Sequence, residues 1–434
     1  MVSSIDARLE ATLSWIMEHL PVEIIGDILS RLGTARDVVG LSATCRKWRE
    51  AYKKYLHTLS FKFGDWPRDI TARQLEILIT QTISQTVGLQ CLSIHMGSAH
   101  EFAAVPVIAW LMYTRKTLQS LSYNGHTIPN VNVPEQCSRH KLQALDLDHH
   151  SIIRVEPTYL RFTCLKSLSL RHVIISALDL SILFTVCPRI ESLTLDVVEI
   201  VTSDSQSSME LSSPTLKCIF AEKVSVEKII LEADNLESLH LLNDSNIGFL
   251  KLNGKGSLQH LKIDDIVATH LEIGANLDNL KVIDVSYFMI KLPKFYQMIS
   301  RASKLRTLRL WAVAFVCKDD LFIDVESIAV SFPELKHLAL NYDIRDGLLY
   351  ALRGSSTLEN VNVLELGWTI ISDNFRLWVF GMIRRCPNLK KLVIHGVLSG
   401  MKTDEQSQMV TNVTSSVLRL MRKYIHVDVR FVYD

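Results

Sequence analysis

No charge surplus marks this sequence: 47 lysines and arginines stand against 46 aspartates and glutamates. That balance removes the electrostatic footprint of a nucleic-acid binder. Long apolar runs are missing too. The longest uncharged one, Phe102 to Tyr113, falls well short of the roughly 20 residues that a membrane span needs. Asp6, Glu10 and Glu18 interrupt the opening residues, which is unlike a secretory leader. The eight cysteines include no Cys-x-x-Cys pair, so neither a disulfide framework nor a cysteine-held zinc is expected. No serine, histidine and aspartate set stands in a nucleophile-elbow context. Asn253-Gly254-Lys255-Gly256-Ser257 lacks the G-x-x-x-x-G-K-[ST] phosphate loop. His149-His150 follows a strand end, where neighbouring side chains point apart, so no metal pair is expected there. These absences leave a chain expected to be no enzyme, with no cofactor, no metal, and neither nucleic acid nor membrane as partner.

What is present begins at Leu20 to Trp48, where three short helices' worth of signals lie in one stretch. Pro21 suits a first helical position. Ile25, Ile28, Leu29 and Leu32 fall at i, i+3, i+4 and i+7, with Ile24 beside them. Gly33 reads as a C-cap, and Thr34 with Asp37 as the start of a second helix carrying Val38, Val39 and Leu41. Thr44 is expected to cap a third helix, on which Trp48, Ala51, Tyr52, Tyr55 and Leu56 keep helical spacing. Helices this short cannot bury all these side chains on one another, so the surplus must face something else. Residues 1–16 could extend the first helix.

In order and spacing, Leu20-Pro21, Glu23, Ile28-Leu29, Leu32, Asp37-Val38-Val39, Cys45, Arg46 and Trp48 resemble an F-box, over residues 17–57. The resemblance implies docking on a Skp-type adaptor and through it on a cullin–RING ubiquitin ligase. The adaptor-binding residues so implied are Leu20, Pro21, Ile24, Ile25, Ile28, Leu29, Leu32, Val38, Val39, Leu41, Cys45 and Trp48.

Residues 58–88 read as a strand and turn followed by a capping helix, with Leu75, Leu78, Ile79, Thr82 and Ile83 on one face. From Leu89 the chain repeats itself. The pattern L-x-x-L-x-L, loosely read, starts at 89, 118, 142, 165, 190, 216, 236, 258, 280, 305, 335, 361 and 389. That period lies within the leucine-rich-repeat range, so residues 89–403 are expected to stack as a solenoid. Counting each repeat from its first leucine, positions four and six point into the core and positions three, five and seven onto the open, concave face.

Helices are expected on the convex side at Leu178–Val186, Lys294–Arg301, Leu321–Val330 and around Phe375, Trp378, Val379, Met382 and Ile383. In the middle third the repeats are too short for helices. There Ile229/Leu231, Leu250/Leu252 and Leu271/Ile273 predict short convex strands instead. The slot three residues before a repeat holds Cys187, Ser213, Phe332 or Cys386, each followed by proline. A slot so tolerant is a packing position. Residues 404–434 read as a C-terminal cap, a helix through Val410, Val413, Val417, Leu420 and Met421, then an alternating strand from Ile425 to Phe431.

The expected fold is therefore α/β: a three-helix N-terminal F-box followed by a leucine-rich-repeat horseshoe, with a parallel concave sheet and convex helices, β-rich outside in its middle third. The concave face offers His240, Lys262, Arg309, Trp311 and His337 as candidate target-binding residues, Trp311 first because large aromatics are enriched at interfaces. The function implied is a plant-type, cytoplasmic or nuclear substrate receptor of a Skp–cullin–F-box ligase, binding an unknown target protein. Two alternatives stand: an F-box scaffold outside any ligase, and a receptor for a hormone or inositol phosphate.

Overall fold

The computed structural model describes residues 19–433, except for 68, 139, 153–154, 158–160, 202–207, 225, 244–246, 268–269, 275–276, 291–297, 312–313, 316–322, 343–349, 352–354, 369–372, 397–403 and 423. The expected N-terminal extension 1–16, the first half of the helix expected at 294–301, and Cys317 lie outside the described residues. The chain divides into two compact units, residues 1–201 and 202–434.

The first unit opens with three helices, α1 (Val22–Arg31), α2 (Ala35–Ser42) and α3 (Arg46–Tyr55). Pro21 is the N-cap of α1 rather than its first residue. Thr34 caps α2, accepting from the Asp37 N–H. Thr44 does not open α3 as its position suggests: its hydroxyl donates to the Leu41 carbonyl, closing α2, and Cys45 occupies the N-cap without a side-chain hydrogen bond. A threonine between two helices can satisfy either end, and here the orphan carbonyl of α2 wins. After a strand (β1, Thr58–Lys62) comes α4 (Ala72–Gln85), opened by a full Thr71/Gln74 capping box.

Every one of the thirteen repeat starts is followed two residues later by a strand. In the first unit these are β2 (Cys91–Ala103), β3 (Ser120–Ile128), β4 (Ala144–Asp148), β5 (Ser167–Arg171) and β6 (Ser192–Asp196), parallel and joined in sequence order after β1. In the second unit they are β7 (Cys218–Glu222), β8 (Ser238–Leu242), β9 (His260–Val267), β10 (Val282–Ile290), β11 (Thr307–Trp311), β12 (His337–Tyr342), β13 (Val363–Trp368) and β14 (Lys391–Gly396), with β15 (Asp428–Tyr433) closing the row. Along β4, β6 and β8 burial alternates as position rules demand, Leu145, Leu147, Leu193, Leu195, Leu239 and Leu241 inward and their neighbours half-open. The first leucine of each repeat is buried as well.

On the second side, helices Ala104–Thr114, Ala177–Thr185, Val325–Ser331 and Asp373–Arg385 return the chain to the next strand. Phe375, Trp378, Val379, Met382 and Ile383 all bury. The helix expected at 321–330 starts only at Val325, because Ile323–Asp324 pairs with Tyr350–Ala351 instead. Between 208 and 273 there are no helices among the described residues. A four-stranded parallel sheet replaces them, with Ile229, Leu250 and Leu271 aligned in one row and Leu231, Leu252 and Ile273 in the next. The register matches the residues the sequence pairs up. The first unit carries its own small outer sheet (Ser151–Ile152, Ile174–Ser176, Glu199–Val201), which periodicity did not reveal. At the far end helix Asp404–Met421 precedes β15. The last strand starts at Asp428, and Ile425 stands exposed in the preceding turn.

Two periodic devices hold the repeats. Position eight of seven repeats, His149, His172, Val197, Lys223, Asn243, Asp265 and Tyr287, adopts left-handed backbone, φ 46 to 56°. At five of them the concave strand ends just before this residue, whereas β9 and β10 run on through Asp265 and Tyr287. In the second unit, the residue just before a repeat donates a side-chain hydrogen bond to a backbone carbonyl of the repeat before: Asn235 to Pro214, Ser257 to Asp234, Asn279 to Gly256, Asn360 to Pro333 and Asn388 to Glu359. These rungs satisfy carbonyls that the turns leave orphaned. Cys187, Ser213, Phe332 and Cys386 are all buried, and burial pushes the Cys187 and Cys386 thiols up to about 12. They pack.

Candidate docking and recognition surfaces

Helix α1 carries two apolar stripes side by side, and the structure separates them. Ile25 and Leu29 face inward and are fully buried; Ile24, one residue away, is 46% exposed, and Ile28 is half-open. Gly26 lets α1 approach α3, since a Cβ there would overlap the Tyr55 side chain. The Tyr55 hydroxyl donates to Glu23 across the same crossing at 3.1 Å. Helix α3 turns Trp48, Ala51 and Tyr52 inward, and the Tyr52 hydroxyl donates to the Thr82 carbonyl of α4 at 2.8 Å. The inner face of the three-helix unit is thereby sealed.

The twelve residues expected to meet an adaptor therefore split. Ile25, Leu29, Val38 and Trp48 belong to this chain's own core, at most 4% exposed, and offer a partner no surface. Pro21 and Ile24 are exposed, and Leu20, Ile28, Leu32, Val39, Leu41 and Cys45 half-buried. That second set is an apolar surface on elements whose opposite side is already filled, the arrangement that marks an interaction site.

In the second unit the strand register assembles the other candidates. His240, Lys262, Asp284 and Arg309 are direct neighbours across β8, β9, β10 and β11. Burial, then Lys262, lowers the His240 pKa. Arg309 Nη1 stands 3.8 Å from Asp284 Oδ2, and its guanidinium lies 5.7 Å from the Trp311 ring. Trp311 in turn meets the His395 ring edge to face at 4.9 Å. Between them sits Glu365, with His337 Nε2 3.2 Å from one carboxylate oxygen and His395 Nε2 3.6 Å from the other. His337 and His395 hold the Glu365 carboxyl well below the usual carboxylate range, against the opposing effect of its burial. The arrangement is a half-buried aromatic and cation–π patch with a fixed negative charge, the kind of surface suited to recognition. Glu365 and His395 are concave-face positions by the repeat pattern, though not among the candidate target-binding residues, and with Gly367 they complete the patch around Arg309, Trp311 and His337.

His149 and His150 diverge, as adjacent residues must. His150 is buried, stacked on Tyr123 at 5.3 Å, and burial lowers its pKa to about 4. His149 turns outward. Around Asn253-Gly254-Lys255-Gly256-Ser257 the chain makes a tight turn. A Cβ at Gly254 would come within 2.7 Å of the Ala233 carbonyl oxygen, and the Ser257 hydroxyl donates to the Asp234 carbonyl. None of the helices among the described residues is long and apolar enough to cross a membrane.

A parallel-strand repeat array preceded by a three-helix module with an outward apolar face defines the class: a leucine-rich-repeat protein with a helical N-terminal module. Comparison with known proteins agrees. Residues 17–57 match the F-box-like family model, and residues 108–273 the model described as "FBD-associated F-box protein At5g56370, LRR repeats". The chain is 58% identical over 421 residues to the F-box/LRR-repeat protein At1g67190 of Arabidopsis thaliana, covering 96% of this chain and all of that one. It is 22% identical to the putative F-box/FBD/LRR-repeat protein At1g16940 of the same plant, over 85% of this chain and 83% of that one. The chain belongs to the plant F-box/LRR-repeat family.

Proposed function

We propose that this chain is the substrate receptor of a Skp–cullin–F-box ubiquitin ligase. The observation that carries the reading is the outward apolar set Leu20, Pro21, Ile24, Ile28, Leu32, Val39 and Leu41 on helices whose inner face is already filled. F-box domains generally bind Skp-type adaptors, and the outward apolar set supports placing that contact here. Each such side chain is worth about 1.5–3 kcal/mol when fully covered. The chain supplies no chemistry of its own. It acts by proximity: the repeats hold a target protein, the F-box holds the ligase, and the effective concentration of target lysines near the charged conjugating enzyme rises. The patch of Arg309, Trp311, His337, Glu365 and His395 is the proposed target contact, with His240 and Lys262 extending it along the same register row. Lys262 and Arg309 both flank Asp284, which favours a protein surface over a polyanionic small molecule. Leu20→Ala with Pro21→Ala and Ile24→Ala should abolish co-purification of the Skp-type adaptor and cullin while leaving the thermal melt unchanged. Adaptor recovery at the wild-type level would overturn the reading.

A further inference from the structure

We propose that Asp148, His149 and His172 form a site for a divalent transition-metal ion, Zn2+ foremost, with one coordination position open to water. The two histidines occupy position eight of consecutive repeats, one after β4 and one after β5. Left-handed backbone at both, φ 56 and 48°, brings their rings into a stack at 4.3 Å and 20°. Both Nδ1 atoms face one oxygen: His149 Nδ1 lies 2.7 Å and His172 Nδ1 2.9 Å from Asp148 Oδ1. The three ligand atoms lie within 4.8 Å of one another.

Hydrogen bonding does not account for the whole arrangement. His172 donates to Asp148 in good geometry, but His149 Nδ1 is shut away from water and makes no aligned hydrogen bond despite the short distance. A buried ring nitrogen left in this state is costly. An ion between the three atoms relieves it. With metal–ligand bonds of about 2.0–2.1 Å, the atoms of a tetrahedral site stand roughly 3.3 Å apart, so each nitrogen moves off Asp148 Oδ1 by about half an ångström and the two rings turn out of their stack to bring the ion into both ring planes. Two imidazoles and one carboxylate are the donor set of zinc and its neighbours, whereas magnesium and calcium take oxygen alone. Asn124 Nδ2 donates to the other oxygen of Asp148 at 2.6 Å, fixing the carboxylate as outer partners of metal ligands do. The side chains of His149 and His172 are 39% and 45% exposed, which leaves an entry path and the fourth position to solvent.

The test uses the tag-free full chain, stripped with chelator and titrated with ZnCl2 by calorimetry, then with Co2+ by visible absorption. One saturable Zn2+ per chain and the d–d bands of tetrahedral Co2+ are expected. His149→Asn and His172→Asn should each remove both signals; asparagine suits this backbone, since Asn243 adopts it at the same repeat position. Asn124→Ala should weaken Zn2+ by about 10- to 100-fold. Circular dichroism checks each fold, and Asp148→Asn, nearly isosteric, gives an independent variant should a histidine change unfold the chain. No saturable binding by wild type, or unchanged Zn2+ affinity in folded variants, overturns the proposal.

Discussion

Trp311 lies against Gly367, two strands away: a Cβ at residue 367 would stand 2.6 Å from Trp311 Cη2 and equally close to Asn341 Oδ1. The glycine is there for close approach, because only a bare Cα lets the indole cross β12 and reach His395. Gly367→Ala should lift the ring off the sheet. The expected result is weaker target binding by one to two orders of magnitude, a stability loss of about 1–3 kcal/mol and unchanged adaptor binding, read by pull-down and chemical denaturation. Target affinity equal to wild type would remove Trp311 from the recognition surface.

Neighbouring isoleucines on α1 should respond oppositely. Ile25→Ala opens a cavity in the three-helix core and should cost about 2–5 kcal/mol. Ile24→Ala should leave the melt within about 0.5 kcal/mol of wild type yet reduce adaptor affinity. Denaturation curves of the two variants decide it, and equal losses would mean that the stripes are misassigned.

Val197 is the one β-branched residue among the seven left-handed turn positions, φ 53°, and it is 38% exposed. Backbone of this kind costs a branched side chain on the order of 1–3 kcal/mol. Val197→Asn should therefore raise the melting temperature, with differential scanning calorimetry as the readout. A lower Tm would show that Val197 is held by packing the turn cannot spare.

The Glu365 carboxyl titrates below its ordinary range when folded, through His337 and His395. A depressed carboxylate stabilises the fold above its unfolded pKa, about 4.3, and loses that contribution as pH falls toward the folded value. Glu365→Gln should thus lower Tm at pH 6, and the gap to wild type should shrink below about pH 4. A gap that widens in acid contradicts the assignment of His337 and His395 as its partners.

Much of this was legible in the sequence. The thirteen repeat strands and the second sheet of the middle third both follow from period-two patterning, which fixes face and register together. The interval between 216 and 280 was informative because too few residues remain there for a helix. Other features escaped for physical reasons. On α1, Ile24/Ile28 and Ile25/Leu29 have the same spacing, so periodicity alone cannot say which stripe faces inward. Position eight accepts histidine, valine, lysine, asparagine, aspartate and tyrosine, because what it requires is a backbone angle rather than a side chain. The His149–His172 stack arises only when that angle recurs one repeat later, a relation in space that adjacency within one repeat does not show. Thr44 could serve either of two helix ends.

The hydrogen bonds from Asn235, Ser257, Asn279, Asn360 and Asn388 each reach back by one repeat. Donor and acceptor therefore travel together when genetic material encoding an entire repeat is copied or lost, whereas a break inside a repeat strands one of them. Such an array can lengthen or shorten in whole steps at little cost, remaking its concave face while the three-helix module ahead of it stays as it was.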